Sequence, residues 1–258
     1  HLQKSLDQIN DAFAACHRPH ASVVGVPKLL PAYAGPALLE EVRRLQAFRG
    51  KSAAPALAFF GGKKLSSKLP VLSALAKNVQ AIYLGGAMAT ACEAARGRPV
   101  GASFVEAGQA AAALRLLRTK HIHLPPDYLV ADAVSTAAAT RICHIEDIRP
   151  REIIVDVGPE TLAGWAAAIR TARTILWNGP VGITDPDVFA AGSRGLARFL
   201  AFLPKRADVV VGGGDTVPIL AAAGVMETVG YVSTGGGAML DFLAEGERLP
   251  GLRALSAA

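Results

Sequence analysis

Short runs of apolar residues alternate along the chain with segments in which apolar positions recur at helical spacing. The apolar runs predict strands at residues 56–60, 81–84, 122–124 with 128–131, 152–156, 174–177, 207–211 and 231–233. The segments between them predict helices at 66–77, 87–96, 106–119, 160–171, 186–202, 215–223 and 238–245. Largely uncharged strands joined by helices are typical of a parallel sheet covered on both faces. We therefore predict an α/β fold, a three-layer α/β/α, Rossmann-like domain with a parallel sheet of about six strands.

The first fifty residues differ from this alternation. Residues 2–13 and 38–48 are helical in pattern, and no parallel sheet is predicted for them to cover. Residues 1–50 are therefore interpreted as a connector to something outside the chain, and residues 51–258 as the α/β domain.

Glycine-rich turns follow five of the predicted strands. They are Gly61-Gly62, Gly85-Gly86, Asn178-Gly179-Pro180, Gly212-Gly213-Gly214-Asp215 and Ser233-Thr234-Gly235-Gly236-Gly237. The carboxyl ends of parallel strands meet at one edge, where the ligands of such sheets bind. Turns without side-chain bulk would expose backbone N–H groups along that edge, and this arrangement favours a phosphate ligand.

Composition and charge narrow the choice of partner. The 258 residues are 51% hydrophobic and 19% charged and contain no long uncharged apolar run, so no membrane partner is expected. Residues 1–10 lack the apolar core of a signal peptide. The three widely spaced cysteines are expected to be reduced thiols, which indicates a cytoplasmic protein. The net charge of +6 suits an anionic ligand, but the basic residues are scattered, so no nucleic acid is expected.

Two common nucleotide motifs do not fit. Gly50-Lys51-Ser52 resembles the end of a P-loop, but Leu45 stands where its first glycine belongs, so this segment is interpreted as an exposed loop. After two of the glycine triplets, Val217 and Leu240 stand where G-x-G-x-x-G requires its last glycine. A P-loop enzyme and a dinucleotide dehydrogenase are therefore not expected.

The turn around Asp215 has two interpretations. Its acidic side chain either caps the following helix, or holds Mg²⁺ against phosphate oxygens that Gly213, Gly214 and Thr216 contact. An acid aimed at a bare phosphate would repel it, so a metal between the two is chemically sensible.

Two other turns offer different donors. Gly236 and Gly237 supply backbone amides without a charged side chain, which suits a phosphoryl group in transfer, or else a flexible loop. Lys64 and Lys68 are four residues apart, so on a helix they would share a face and bind one anion. Without that anion they would form a solvated basic turn.

Two further segments remain open between a site and a structural role. The rigid turn after Trp177 could flank a flat base, and Asp185 beyond it could accept bonds from ribose hydroxyls or begin a helix with Pro186. Arg18, within the cluster His17-Arg18-Pro19-His20, could bind a carboxylate or phosphate or lie in a connecting turn.

Taken in order, these motifs resemble the phosphoglycerate kinase family. The resemblance includes the five glycine-rich turns together with Asn10-Asp11-Ala12-Phe13, His17-Arg18-Pro19-His20, Leu124-Pro125 with Asp127, Asp156-Val157-Gly158-Pro159 and Leu249-Pro250-Gly251. Each motif alone is modestly specific, whereas the ordered set is highly specific. The resemblance implies a cytoplasmic, monomeric enzyme of two α/β lobes. Such an enzyme transfers a phosphoryl group reversibly between Mg²⁺-bound ATP or ADP and 3-phosphoglycerate or 1,3-bisphosphoglycerate.

The resemblance also implies a role for each motif residue. The residues implied at the transfer point are Lys64, Arg18, Gly236 and Gly237. Those implied at the nucleotide phosphates are Lys68, Gly213, Gly214, Thr216 and, as the Mg²⁺ ligand, Asp215. Those implied around adenosine are Gly62, Gly85, Gly86, Gly182, Ile183 and, at the ribose, Asp185. Residues 1–50 would be a remnant of the amino-terminal lobe and the interdomain helix, with most of the acid-binding lobe absent.

Departures from the family pattern keep rival functions open. Lys63 stands at a position that is usually small, Thr184 at a usual Phe and Asp185 at a usual Glu. One rival is a nucleotide-binding module that does not catalyse, because the acid-substrate lobe is missing. A second is a kinase for another small acid, and a third is a structural or nucleic-acid-binding role that rests on the net charge alone.

Overall fold

The computed structural model describes residues 6–50, 53–203 and 207–256. Its strands are β1 (Gln8–Asn10), β2 (Ala32–Ala34), β3 (Ala56–Phe60), β4 (Ala81–Leu84), β5 (Ile122–His123), β6 (Asp127–Ala131), β7 (Thr140–His144), β8 (Ile153–Val157), β9 (Thr174–Asn178), β10 (Asp208–Gly212) and β11 (Tyr231–Val232). Its α-helices are α1 (Pro36–Gln46), α2 (Leu69–Leu75), α3 (Gly86–Ala95), α4 (Ala110–Leu117), α5 (Pro159–Thr171), α6 (Ala191–Ala201), α7 (Val217–Ala222), α8 (Gly237–Glu245) and α9 (Pro250–Ser256).

A six-stranded parallel sheet forms the centre of the fold, in the order β11-β10-β9-β3-β4-β5. Its two central strands, β3 and β9, are buried along their whole length. Such strands need helices on both faces, since neither face meets water. The predicted parallel sheet of about six strands is confirmed.

Alternate residues of each strand enter two separate cores, one on each face of the sheet. Ala58 and Phe60 of β3 point into a core formed with α1, α2, α3, α4, α8 and α9. Leu57 and Phe59, one position away, point into a core formed with α5, α6 and α7. This period-two division across the sheet produces the predicted three-layer α/β/α architecture.

Two predicted strands lie outside this sheet, which corrects the sequence analysis. They are β6 and β8, which belong to a separate three-stranded sheet. β6 is its central strand and pairs antiparallel with β7 on one side and with β8 on the other. β7 is mostly exposed and polar, so its sequence does not have the apolar character of a strand. The segment between β6 and β8 contains no α-helix, and a parallel pair needs a long crossover that is usually helical.

The amino-terminal segment also differs from its prediction. Residues 2–5 of the expected helix lie outside the described residues, and Gln8–Asn10 form β1, which pairs in parallel with β2. Asn10 Oδ1 accepts the Ala12 amide at 3.1 Å, and Asp11 Oδ1 accepts the Leu38 amide at 2.8 Å. Short polar side chains that bond the backbone compete with helix formation. The second predicted helix is confirmed as α1, and the proposed boundary at residue 50 stays a prediction.

Four predicted helices are shorter than expected. They begin two to five residues later than the pattern indicates, at Leu69, Ala110, Ala191 and Val217. A 3-10 helix, Asp187–Phe189, precedes α6, so Asp185 does not start an α-helix with Pro186. Lys51 and Ser52 of the expected exposed loop lie outside the described residues. Cys16, Cys92 and Cys143 are free thiols, and no helix among the described residues is long and apolar enough to span a membrane.

Asp127 joins the two sheets through the amino-terminal end of α5. Its buried carboxylate accepts the Glu160 amide at 3.0 Å, the Thr161 amide at 2.8 Å and the Thr161 hydroxyl at 2.7 Å. These bonds satisfy helix amides that have no partner within the helix.

We therefore expect Asp127→Ala to lower the free energy of unfolding by about 2–3 kcal/mol, because several buried donors lose one shared acceptor. Urea denaturation followed by circular dichroism measures this change. Asp241→Ala, at an exposed helical position, serves as the matched control and should change it by less than about 0.5 kcal/mol. Equal stabilities of the two variants would contradict the assigned role of Asp127.

Candidate functional site

The turns at the carboxyl edge of the sheet interlock through their backbones. The turn after β9 is bonded to those after β3 and β4: the Gly62 amide donates to Pro180 O at 2.7 Å, and the Gly86 amide donates to Val181 O at 2.5 Å. A Cβ on Gly85 would lie 2.9 Å from Val181 Cα. A side chain at this position would separate the turns, so glycine is required where backbone crosses backbone.

Two adjoining cavities open along this edge. The larger has a volume of about 810 Å³, and its lining includes Gly62, Gly86, Gly182, Ile183, Asp185 and Asp215. The smaller has a volume of about 370 Å³, and its lining includes Gly62, Lys64, Lys68, Gly213, Gly214, Asp215, Gly236 and Gly237. The residues that line both are Gly62, Lys63, Pro180 and Asp215. The edge therefore offers one continuous site with a wide part and a narrow part.

The smaller cavity is rich in unpaired donors. Within the described residues, the backbone amides of Gly214, Asp215, Gly236 and Gly237 donate no hydrogen bond to the protein. Gly236 has φ +44°, a left-handed conformation that favours glycine. The last two amides also lie at the positive end of α8. Bare amides grouped in this way form a site for an anion.

Lys68 provides a fixed positive charge at the floor of this cavity. Its Nζ donates to Gly61 O at 2.6 Å and to Asn178 O at 3.2 Å, the carbonyls at the ends of two neighbouring strands. Burial lowers the pKa of the Lys68 ammonium to about 8, and the nearby Asp215 carboxylate opposes that shift. An anion that enters the cavity would restore the charge balance of this partly desolvated cation.

Lys64 and Asp215 line the same cavity with exposed side chains. Lys64 precedes the 3-10 helix Ser66–Lys68, so the expected shared helix face with Lys68 is wrong, although both lysines reach one cavity. α7 begins only at Val217, and no side chain in the described part of the chain caps it. The capping interpretation of Asp215 is therefore not observed, which leaves its carboxylate available at the junction of the two cavities.

The larger cavity combines apolar walls with a few polar groups. Gly182 packs against the carboxylate of Asp156, where a Cβ would overlap it. That buried carboxylate accepts the Gly192 amide at 2.5 Å and the Val157 amide at 2.9 Å. Burial raises the pKa of Asp156 to about 7, although these two amides oppose the shift. A mostly apolar pocket with few fixed polar groups suits a flat organic ring.

Three predicted site residues line neither cavity, and their contacts with a ligand stay predictions. Gly85 is buried against Val181 and shapes the turn. Thr216 is fully buried, and its Oγ1 accepts the Gly179 amide at 2.9 Å and donates to Gly212 O at 3.0 Å. Its hydroxyl therefore joins two turns. Arg18 is exposed and its Nε donates to His17 Nε2 at 3.1 Å.

Two residues important to the site escaped the sequence analysis. Asn178 is buried, lines the smaller cavity, and leaves its Nδ2 without a partner among the described residues. Glu41 of α1 is buried, and its carboxylate accepts the Ser233 hydroxyl at 2.8 Å and the Thr234 amide at 2.8 Å. The sequence could have indicated Glu41, because this acidic residue falls on the apolar face of α1, three residues after the buried Leu38.

The carboxylates do not form a preorganised metal centre. No group of three or more His, Cys, Asp or Glu side chains within the described ranges could hold a metal ion. A divalent cation beside Asp215 would therefore take its remaining ligands from phosphate and water, the mode typical of Mg²⁺.

Comparison with known proteins decides the family. A family model described as phosphoglycerate kinase matches residues 2–247. The chain belongs to the phosphoglycerate kinase family. It is 40% identical over 253 residues to the phosphoglycerate kinase of Herpetosiphon aurantiacus, covering 96% of this chain and 64% of that protein. It is 42% identical over 250 residues to that of Salinispora tropica, with coverages of 96% and 62%.

Solved structures of this family superpose closely. The phosphoglycerate kinase of Coxiella burnetii matches with a TM-score of 0.91 at 36% identity, covering 97% of this chain and 65% of the other. That of Pyrococcus horikoshii matches with a TM-score of 0.83 at 27% identity, covering 97% and 64%. The chain thus spans about 64% of the length of the curated phosphoglycerate kinases that it matches.

The low pKa of Lys68 predicts a pH dependence of anion binding. The folded chain should lose the Lys68 proton near pH 8, whereas the ordinary value is 10.5. Affinity for tripolyphosphate should therefore fall roughly three- to tenfold between pH 7 and pH 9. Folding itself is not weakened, because the unfolded chain binds more protons in this window and stability rises with pH.

Calorimetric titrations of tripolyphosphate at several pH values test this expectation. The Lys68→Arg variant stays charged, so its profile should reflect only the titration of the ligand. Lys77→Arg, an exposed control outside both cavities, should retain the profile of the unsubstituted chain. Parallel profiles for the unsubstituted chain and Lys68→Arg would refute the role assigned to Lys68.

Proposed function

We propose that this chain provides the nucleotide-binding part of a phosphoglycerate kinase, which transfers a phosphoryl group between ATP and 3-phosphoglycerate. The observation that carries the proposal is the pair of adjoining cavities: one wide and largely apolar, the other narrow with unpaired amides and lysines. A base, a ribose and a polyphosphate follow one another in the same order. The membership of the chain in the phosphoglycerate kinase family supports this assignment.

In this proposal, the base lies in the larger cavity against Gly86, Gly182 and Ile183, with the ribose near Asp185. The phosphates extend toward Gly213, Gly214, Gly236 and Gly237, in the smaller cavity. Glycine at these positions lets phosphate oxygens approach the backbone closely.

Lys68 and Asp215 neutralise and orient the phosphates. The Lys68 ammonium balances part of the phosphate charge, and Asp215 would hold Mg²⁺. A bound Mg²⁺ would neutralise a further part of the phosphate charge. The exposed Lys64 side chain lies at the same cavity and would stabilise the phosphoryl group in transfer. No covalent intermediate with the protein is needed, since positioning and charge neutralisation account for transfer.

The acid substrate would meet the nucleotide beside the His17 and Arg18 turn. The His17 Nε2 lies 3.5 Å from where a Cβ on Gly237 would stand, so this turn borders the end of the phosphate cavity. Arg18, next in sequence, is exposed and suits a carboxylate or phosphate. One arginine is a small share of the charge needed to hold a bisphosphate. The free thiols favour a reducing, cytoplasmic setting, and we propose a monomer there.

Because Arg18 is a small share of the charge needed to hold the acid substrate, a second candidate function is a nucleotide-binding module that does not catalyse phosphoryl transfer. Apart from Arg18 at the border, the cations described around the smaller cavity are Lys63, Lys64 and Lys68, which face the nucleotide side. The two candidates share the nucleotide site and differ only in whether the chain also positions the acid.

Incubation of the chain with Mg²⁺, ADP and 1,3-bisphosphoglycerate separates the two candidates. If the chain is a kinase, ATP should form. Lys64→Ala should then reduce the rate at least about tenfold, because the negative charge on the transferring phosphoryl group loses the Lys64 ammonium that stabilises it. Lys77→Ala, at an exposed position just beyond the end of α2 and outside both cavities, should not change the rate. Binding of ADP without ATP formation would favour the module, and absence of ADP binding would contradict both.

A further inference from the structure

Lys63 stands at the junction of the two cavities. It lines both of them, as does Asp215, and these are the two charged side chains among the described residues that do so. The residue before it, Gly62, has φ +99° and lies in the turn that follows β3. A cation at this junction is placed beside the point where the organic part and the charged part of a ligand would meet.

The Lys63 ammonium is held by an aromatic ring rather than by a carboxylate. Its Nζ lies 5.0 Å from the centroid of the Phe104 ring. Within the described ranges, Lys63 makes no salt bridge and donates no side-chain hydrogen bond. Phe104 lines the larger cavity, and the residue is 49% exposed, although large aromatic residues are usually buried.

The segment 103–106, which carries Phe104, is held by hydrogen bonds at both of its ends. The hydroxyl of Ser103 accepts the Ile154 amide at 2.8 Å, which ties the wall to β8. The Glu106 carboxylate accepts the Ser66 amide at 3.0 Å and the Ser66 hydroxyl at 2.5 Å, which ties it to the lysine turn. The position of the Phe104 ring is thus fixed, whereas the four-carbon side chain of Lys63 that lies over it is flexible.

We propose that Lys63 is a specificity-determining residue that binds the phosphate nearest the ribose. In the free chain its ammonium rests on Phe104. When a nucleotide enters, the ammonium turns from the ring to the phosphate that lies at the junction, because a full negative charge attracts it more strongly than a ring quadrupole. This inference rests on the proposed nucleotide site and adds a cation that selects nucleotides over nucleosides.

The position of Lys63 makes its contribution distinct from that of Lys64. Lys64 lines only the smaller cavity, so it acts on phosphates farther from the ribose. Lys63 should therefore contribute equally to AMP and ADP and not to adenosine. A purely structural role, in which Lys63 shapes the wall of the larger cavity, would instead affect all three ligands alike.

Calorimetric titration of the 258-residue chain with adenosine, AMP and ADP tests this. Lys63→Met, which keeps the length of the side chain and removes its charge, should weaken AMP and ADP about fivefold and leave adenosine unchanged. Lys63→Arg should restore most of the loss. Lys77→Met changes the net charge equally and lies outside both cavities, so it should bind all three ligands like the unsubstituted chain.

Three outcomes would overturn the inference. An equal loss for adenosine and AMP would assign Lys63 a structural role, and unchanged AMP affinity would remove it from the site. If the unsubstituted chain binds none of the three ligands, the proposed nucleotide site fails together with this inference. Phe104→Leu provides a second check: release of the ammonium from the ring should retain or increase AMP affinity, and a loss of AMP binding equal to that of Lys63→Met would contradict the resting position.

Discussion

The site depends on one constraint, the close passage of three backbone turns at the carboxyl edge of the sheet. The turn after β9 leaves no room for side chains on the neighbouring turns. A Cβ on Gly61 would overlap the Pro180 carbonyl, and one on Gly85 would lie 2.9 Å from Val181 Cα. The glycines let the turns bond to one another, as the Gly61 amide does to Asn178 O at 3.1 Å. Because the turns are locked together, the two cavities beside them keep a fixed floor.

The floor of the cavities carries a positive charge at the ends of two strands, where the strand carbonyls alone would make the electrostatic potential negative. The ends of β3 and β9 present carbonyls, and these hold the Lys68 ammonium at 2.6 and 3.2 Å. Asn178 Nδ2 and the amides of the two outer glycine turns, which have no partner among the residues that the structure describes, add donors nearby. Donors that are in place before a ligand arrives need little reorganisation, which is what stabilisation of a phosphoryl group requires.

The same locking extends to the outermost turn through α1. Glu41 accepts bonds from Ser233 and Thr234, so the turn that carries Gly236 and Gly237 is tied to a helix on one side of the sheet. Thr216 ties the turn after β10 to the turn after β9 in the same manner. The amides that would contact phosphates are thus positioned by buried side chains that do not themselves reach the cavity.

Features that depend on the residue pattern within a short segment could be predicted from the sequence. Features that depend on contacts between residues far apart in the sequence could not. The apolar runs of β3, β4, β9 and β10 predicted the sheet, and the glycines after them predicted the edge at which the two cavities open, because both depend on neighbours in the chain. The tie between Glu41 and Ser233 spans 192 residues, so no local pattern reveals it. The separate sheet of β6, β7 and β8 was missed because β7 is exposed and polar, and its pairing follows from the missing helical crossover.

Backbone amide shifts measured by NMR, with ¹⁵N-labelled chain titrated by Mg²⁺-ADP and separately by adenosine, test the central claim most directly. The account predicts that Gly86, Gly182 and Ile183 respond to both ligands. It predicts that Gly214, Asp215, Gly236 and Gly237 respond to Mg²⁺-ADP alone, because only a polyphosphate reaches their unpaired amides. Identical responses of all these amides to the two ligands, or responses confined to residues outside both cavities, would contradict it.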